Sequence, residues 1–159
     1  MVDGPEEEHG KSGLIPRKES LSDGGKMGVN ILVIDNEESI RFSFRRFLVA
    51  EGHNVVTAKC YWEALARMNE TEFELILADI FLEDGWGLDI LQEVINRSLK
   101  TRVIIMTAYP SSETARDSLR MHAVAYLVKP LKQAQLLSSV NRALYGDNNN
   151  GAGEKIAPT

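Results

Sequence analysis

Five short apolar runs alternate along the chain with longer segments in which apolar residues recur at helical spacing. The runs are VNILVI at 29–34, NVVTA at 54–58, ELILA at 74–78, RVIIMT at 102–107 and AYLV at 125–128. Continuous runs of this kind are typical of strands that are buried on both faces, as in a parallel sheet covered by helices. The pattern therefore predicts five buried strands.

The segments between and after these runs predict five helices, near residues 38–51, 61–69, 86–97, 111–121 and 131–145. Their apolar positions follow the helical period, as in Ile40, Phe44, Phe47 and Leu48 of the first helix and Leu137, Val140 and Leu144 of the last. Strands that alternate with helices through right-handed crossovers form an α/β fold. We therefore expect a doubly wound, flavodoxin-like sheet of five parallel strands, for which one common strand order is 2-1-3-4-5.

The length of 159 residues suits one domain with a sizeable core. Residues 1–28 are rich in Gly, Ser, Glu and Lys and have almost no periodic apolar content, which predicts a disordered N-terminal extension. The segment GDNNNGAGEKIAPT at 146–159 has the same character and predicts a flexible C-terminal tail. The predicted folded domain is therefore 29–145.

The net charge and the cysteine content argue against several classes of function. The net charge of −5 and the scattered basic residues argue against a nucleic-acid-binding surface. Cys60 is the one cysteine, so an intrachain disulfide and a cysteine-rich zinc site are excluded, which fits a reducing, intracellular setting. No apolar span approaches 18 residues and the N-terminus does not have the pattern of a signal peptide, so we expect a cytoplasmic protein without membrane insertion.

Polar residues stand where the predicted strands end. Asp35 opens the sequence DNEE after the first strand, Asp79 follows the third, Thr107 ends the fourth and Lys129 follows the fifth. In an open parallel sheet, binding sites form beyond the carboxyl ends of the strands, where the strand order reverses. Each residue alone has an ordinary structural role, since acids cap helices and Thr favours strands. The coincidence of all four predicts a functional site at this edge.

The residue types suit phosphoryl chemistry. Close carboxylates repel one another, so Mg²⁺ is the natural guest, and it is usually bound by one or two carboxylates with waters completing the octahedron. A carboxylate beside that ion can attack phosphorus and become an aspartyl phosphate. Lys129 would then neutralise phosphoryl oxygens, and the hydroxyl of Thr107 could donate a hydrogen bond to one of them.

Four segments, in order and at characteristic spacing, resemble the receiver domain of two-component response regulators. They are ILVIDNEESIR, LILADIFLEDGWGLDIL, VIIMTAY and AYLVKP, within a similarity that spans 29–145. The resemblance implies the following roles: Asp79 as the phospho-acceptor, Asp35 and Asn36 at the acidic-pair positions, the Phe81 carbonyl as a further Mg²⁺ ligand, Thr107 and Tyr126 as the switch pair, and Lys129, with a cis bond to Pro130, as the phosphate-binding lysine.

The chain departs from the family pattern at several positions. The second acid of the pair is Asn36, Leu82–Glu83 replaces the usual Met-Pro, Trp86–Gly87 replaces a common Asp-Gly, and His122 stands where a glycine is usual. Asn36 keeps an oxygen ligand but removes one formal charge, so weaker Mg²⁺ binding is expected. His122 is expected at a helix end in the left-handed conformation, because no second His or Cys lies nearby in sequence to form a metal site.

The resemblance implies a stand-alone signalling switch rather than an enzyme. A sensor histidine kinase or phosphotransfer domain would phosphorylate Asp79, and the change would be read on the face of the fourth helix, fifth strand and fifth helix. The message would pass to an unknown downstream protein, by phosphorelay or through a phosphorylation-dependent dimer. The alternative is an unphosphorylated receiver fold that serves as an interaction module.

A phosphatase or nucleotide binder on a similar fold is the remaining hypothesis. A phosphatase of the haloacid-dehalogenase type needs Asp-x-Asp-x-Thr after the first strand, which DNEES does not supply. The nearest match to a phosphate-binding loop, GPEEEHGKS at 4–12, has five residues between its glycines where that motif has four. Both enzyme classes are therefore disfavoured.

Overall fold

The structure, a computed structural model, describes residues 28–146. The rest of the predicted N-terminal extension and C-terminal tail, residues 1–27 and 147–159, lies outside the described residues. Within the described range, no helix is both long enough and apolar enough to cross a membrane.

Five strands and five helices alternate through this range. The strands are β1 (Asn30–Ile34), β2 (Asn54–Ala58), β3 (Leu75–Asp79), β4 (Arg102–Thr107) and β5 (Ala125–Val128). The helices are α1 (Glu38–Ala50), α2 (Tyr61–Glu70), α3 (Gly87–Asn96), α4 (Ser112–Arg120) and α5 (Gln133–Tyr145). The predicted elements are all present, with ends that differ by at most two residues.

The five strands form one parallel sheet in the order β2-β1-β3-β4-β5, which confirms the predicted fold and strand order. The order reverses between β1 and β3, so a crevice opens at the carboxyl ends of these two strands. Because all five strands run the same way, the residues that end β3 and β4 or follow β1 and β5 meet at one edge of the sheet.

Alternate residues of the central strands feed two separate cores. On one face, residues such as Leu32 and Ile76 pack with α2, α3 and α4; on the other, residues such as Val33 and Leu77 pack with α1 and α5. The residues of β1 and β3 are all buried, as expected for strands covered on both sides. In α5 the fully buried leucine is Leu136, whereas the predicted Leu137 is only partly buried.

A two-stranded hairpin, which the sequence pattern did not predict, follows β3. Phe81–Leu82 pairs antiparallel with Gly85–Trp86, and Glu83 and Asp84 form its two-residue turn. Strands of two residues are too short to show a period of two in the sequence. This segment is called the hairpin below.

Two local backbone predictions are confirmed. His122 has a φ of 70°, in the left-handed region, just after the end of α4. The Lys129–Pro130 peptide bond is cis. Both features lie on connections that flank β5.

Candidate functional site

Side chains from three strand ends meet at the carboxyl edge of the sheet. The Lys129 ammonium lies 2.7 Å from Asp35 Oδ2 and 3.2 Å from Asp79 Oδ2, so one lysine bridges two carboxylates. All three side chains are at least nine-tenths buried. Two carboxylates against one ammonium leave a net negative charge in the crevice, which favours the approach of a cation.

Burial and neighbouring charge perturb two of these groups. Burial raises the pKa of Asp79, the charge of Asp35 raises it further, and the bonds from Lys129 oppose the rise without cancelling it. Burial works to lower the pKa of Lys129, but the hydrogen bond and charge of Asp35, followed by those of Asp79, outweigh it and raise that pKa. The two directions are compatible because the shorter of the two lysine bonds goes to Asp35.

These two shifts change the pH dependence of stability in the same direction: each makes the free energy of unfolding fall as the pH rises. The stabilisation from charged Lys129 is complete below its unfolded-state pKa and is lost as the pH rises through the higher folded-state pKa. For Asp79 the folded-state pKa is also raised, so its ionisation costs stability, and that cost appears as the pH rises through the raised pKa. Lys129 is therefore charged at neutral pH, and a further cation beside Asp79 would favour the ionised form of this carboxyl group.

The Asp35 carboxylate is fixed from several sides. It is fully buried, and Oδ1 accepts a 2.9 Å hydrogen bond from the Glu37 backbone N–H at the start of α1. The Arg41 guanidinium donates to the Asp35 carbonyl at 2.7 Å. Asn36, which follows Asp35, is exposed, as is Glu37. Asp35 is thus a buried and hydrogen-bonded wall of the crevice, whereas the adjacent Asn36 is exposed to solvent.

The backbone of the hairpin approaches Asp79 closely. The Phe81 N–H donates to Asp79 Oδ1 at 3.4 Å, and at the base of the hairpin the Gly87 N–H donates to the Ile80 carbonyl at 2.7 Å.

The Phe81 ring lies 5.3 Å from that of Trp86 and 5.9 Å from that of Tyr109, measured between ring centroids. We call Phe81, Trp86 and Tyr109 the aromatic cluster; its members remain partly exposed.

Thr107 and Tyr126 lie on the neighbouring strands β4 and β5. The buried Thr107 hydroxyl accepts from the Tyr109 N–H at 2.9 Å, and the Thr107 carbonyl accepts from the Lys129 N–H at 2.9 Å. The Tyr126 ring is 2% exposed and turned into the protein. Its hydroxyl is 2.7 Å from the Thr114 hydroxyl and accepts from the Ser111 N–H at 3.2 Å, which ties it to the start of α4.

The oxygen atoms of the ligands expected from the sequence suit Mg²⁺ by type. Carboxylates of Asp35 and Asp79, the amide oxygen of Asn36 and the Phe81 carbonyl are hard ligands of the kind that this ion prefers. Within residues 28–146 no group of three or more His, Cys, Asp or Glu side chains is placed to hold a metal. The expected Mg²⁺ ligands include only two side chains of these types, Asp35 and Asp79; the other two ligands are an amide and a backbone carbonyl.

The sequence of the folded range matches the model of a protein family, the response regulator receiver domain, over residues 31–141. The chain belongs to this family. Among solved structures, a CheY-like receiver domain protein from Methanospirillum hungatei JF-1 aligns with a TM-score of 0.70 at 32% identity, covering 74% of this chain and 94% of that one. A beryllofluoride-activated NtrC4 receiver domain dimer aligns with a TM-score of 0.68 at 32% identity, covering 72% and 94%.

Curated relatives of this receiver are much longer proteins. The transcriptional regulatory protein ZraR of Salmonella typhimurium is 33% identical over 124 residues, which cover 78% of this chain but 28% of ZraR. The alginate biosynthesis transcriptional regulatory protein AlgB of Pseudomonas aeruginosa is 38% identical over 106 residues, which cover 67% of this chain and 24% of AlgB. The receiver thus spans about a quarter of the length of these relatives.

Several residues around the site were missed by reasoning from the sequence. Arg41, on α1, donates a hydrogen bond to the carbonyl of Asp35. Thr114 and Ser111 hold the hydroxyl of Tyr126, and Asp84 binds the start of α2. A serine such as Ser111, directly before a helix, is a helix-capping signal. In contrast, no local pattern pairs Asp84 with the start of α2, which lies more than 20 residues earlier in the chain.

Proposed function

We propose that this receiver accepts a phosphoryl group on Asp79 in the presence of Mg²⁺ and acts as a two-component signalling switch. The observation that carries the proposal is the pairing of Asp79 with Asp35 through Lys129 at the sheet edge. Asp79 is the better nucleophile of the two, because both Asp35 oxygens already accept hydrogen bonds shorter than 3 Å while those to Asp79 are longer.

The neighbouring groups have complementary roles. Asp35, Asn36, Asp79 and the Phe81 carbonyl would hold Mg²⁺, which when bound supplies positive charge that offsets the charge of the phosphoryl oxygens. The Lys129 ammonium, which contacts both carboxylates, would contribute a second positive charge. The Thr107 hydroxyl, at the end of β4, accepts from the Tyr109 N–H, so its own O–H would be the donor to a phosphoryl oxygen.

Transmission of the signal depends on Tyr126, whose side chain is turned into the protein. A shift of Thr107 toward the phosphoryl group would act on the loop before α4, to whose first residues the hydroxyl of Tyr126 is bound. The face formed by α4, β5 and α5 exposes apolar groups at Leu119 and Val124 and is the surface on which a partner would read this change. A histidine kinase or phosphotransfer domain would supply the phosphoryl group, and a downstream protein or a second copy would bind the output face.

Phosphate uptake by the wild-type chain tests the proposal. With a small phosphodonor and millimolar Mg²⁺, the intact mass is expected to increase by one phosphoryl group, and a chelator should prevent the increase. No uptake at any Mg²⁺ concentration would favour the alternative of an interaction module, in which the substitution at Asn36 has removed phosphorylation.

Replacing Asn36 by aspartate is expected to tighten Mg²⁺ binding. One additional unit charge about 4 Å from a divalent ion contributes on the order of 1 to 2 kcal/mol in a water-like medium, so the affinity should increase roughly tenfold. The metal-free form should become less stable, because the introduced carboxylate would repel that of Asp35. Titration calorimetry and denaturant unfolding measure the two effects.

The control for this substitution is Asn96→Asp, the same change at an exposed position at the end of α3. It should leave the Mg²⁺ affinity unchanged. Equal affinities of wild type and Asn36→Asp would show that Asn36 is not a ligand, or that Glu37 already supplies the missing carboxylate.

The aromatic cluster is expected to prolong the lifetime of the phosphoryl group. Phe81 and Tyr109 stand two residues after the acceptor and two after Thr107, and their rings contact each other edge to face beside the crevice. Two rings in this position hinder the water that hydrolyses an acyl phosphate. The double variant Phe81→Ser with Tyr109→Ser should lose its phosphoryl group roughly tenfold faster, which corresponds to about 1.4 kcal/mol of activation free energy.

The decay of the phosphorylated protein, followed by intact mass, measures this lifetime. Phe42→Ser removes an exposed aromatic ring from α1 and should leave the half-life unchanged. A double variant whose half-life matches that of wild type would show that the rings do not restrict water.

A further inference from the structure

The helix α2 begins without a capping side chain of its own. Cys60, at its N-cap position, makes no side-chain bond to the first turn. The first backbone N–H groups of a helix have no partner within the helix and need an acceptor from elsewhere. Here Asp84 supplies it: Oδ1 accepts from the Tyr61 N–H at 2.7 Å and Oδ2 from the Trp62 N–H at 3.1 Å. Both carboxylate oxygens are therefore engaged.

The charge of Asp84 strengthens this contact. Desolvation works to raise the pKa of Asp84, but hydrogen bonds, of which those from the N–H groups of Tyr61 and Trp62 come first, together outweigh it and hold the pKa below its ordinary value. The carboxylate is therefore ionised at neutral pH, and it sits at the positive end of the α2 dipole.

The same residue lies at the tip of the hairpin that covers the acceptor. Next to it, Gly85 packs so closely on Tyr61 that a Cβ at this position would lie 3.2 Å from the Cβ and Cγ of the tyrosine. At its other end the hairpin places the Phe81 N–H against Asp79 Oδ1. A hairpin with two residues in each strand is only marginally stable by itself, so its tip contacts contribute to holding its base in place.

We propose that Asp84 is a positioning residue for the phosphorylation site: by binding the first N–H groups of α2, it fixes the hairpin and thereby the main-chain groups of Phe81 at Asp79. Asp84 touches neither the acceptor nor the proposed metal ligands, so it acts through the hairpin backbone. Its effect on Mg²⁺ rests on the proposed function, in which the Phe81 carbonyl is a ligand, whereas its effect on the hairpin does not.

Amide hydrogen exchange of the metal-free protein tests the effect on the hairpin. In Asp84→Ala the Gly87 amide, which is bound to the Ile80 carbonyl, should exchange at least tenfold faster than in wild type. Asp84→Asn keeps one oxygen acceptor and should restore much of the protection. Glu83→Ala is the matched control, because it removes the same charge from the other residue of the turn, which is also exposed. Its Gly87 amide should exchange as in wild type.

Calorimetric titration with Mg²⁺ tests the consequence for the site. The Mg²⁺ affinity of Asp84→Ala should be three- to tenfold weaker than that of Glu83→Ala, although both variants lose one negative charge. A wild type without Mg²⁺ binding would contradict the proposed function, and the exchange of the Gly87 amide would still decide the role of Asp84.

Two results overturn the proposal. The first is equal exchange of the Gly87 amide in Asp84→Ala and Glu83→Ala, even if Asp84→Ala has a lower Tm, because Asp84 would then only cap α2. The second is equal Mg²⁺ affinity of these two variants in a protein whose wild type binds the ion.

Discussion

Replacing Asp79 by asparagine is expected to abolish phosphate uptake, from one phosphoryl group per chain to none. The amide lacks the nucleophilic carboxylate oxygen that forms the acyl phosphate. Asp35 cannot take over, since it is fully buried and its two oxygens are held by Lys129 and by the Glu37 N–H. Intact mass after incubation with a phosphodonor and Mg²⁺ measures the difference.

Asp89→Asn is the control for this substitution. Asp89 is an acid in the first turn of α3 that lies outside the carboxylate crevice, so its loss should leave phosphate uptake as in wild type. Uptake by Asp79→Asn at the wild-type level would show that the acceptor has been assigned to the wrong residue.

Replacing Gly87 by alanine is expected to lower the free energy of unfolding by roughly 3 kcal/mol, at the upper end of the usual cost of overpacking. A Cβ at this position would overlap the Asp79 carbonyl oxygen and lie 2.9 Å from the Asp79 carbonyl carbon and 3.0 Å from Ile80 Cα. These are backbone atoms at the end of the strand that bears the acceptor, so they cannot move aside as a flexible side chain would. The gain in helix propensity from Gly to Ala, about 1 kcal/mol, is too small to offset the clash.

Equilibrium unfolding in denaturant measures this cost, with Gly146→Ala as the control. Gly146 has helical φ and ψ angles, and the nearest atom to a Cβ there belongs to the flexible Arg142 side chain. This control should change the stability by less than about 0.5 kcal/mol. A Gly87→Ala protein as stable as the control would mean that α3 does not approach β3 as closely as the structure places it.

The sheet and its order could be predicted because each strand is a continuous apolar run and each helix has a clear period. The same reasoning located Asp35, Asp79, Thr107 and Lys129, since strand ends in a parallel sheet must meet at one edge. The contacts that these four side chains make could not be predicted from the pattern. The sequence does not reveal that Lys129 bridges both carboxylates or that the hydroxyl of Thr107 binds the loop backbone.

The hairpin and its tether to α2 could not be predicted for a physical reason. Its strands are too short for a period, and the partner of Asp84 is a pair of backbone N–H groups, which have no signature in the sequence. The sequence also could not show which leucine of α5 faces the core. Leu136 and Leu137 are adjacent and equally apolar, and Leu136 is the buried one because of how the helix packs against the sheet.

The central claim is that Asp79 carries the phosphoryl group, and chemical trapping tests it most directly. Borohydride reduces an aspartyl phosphate to homoserine, so the modified residue can be located by peptide mass spectrometry after treatment with a phosphodonor, Mg²⁺ and borohydride. We predict homoserine at position 79, dependent on both the donor and Mg²⁺. Homoserine in place of Asp35 or of any other aspartate, or none at position 79 in a protein that has taken up phosphate, would contradict the account.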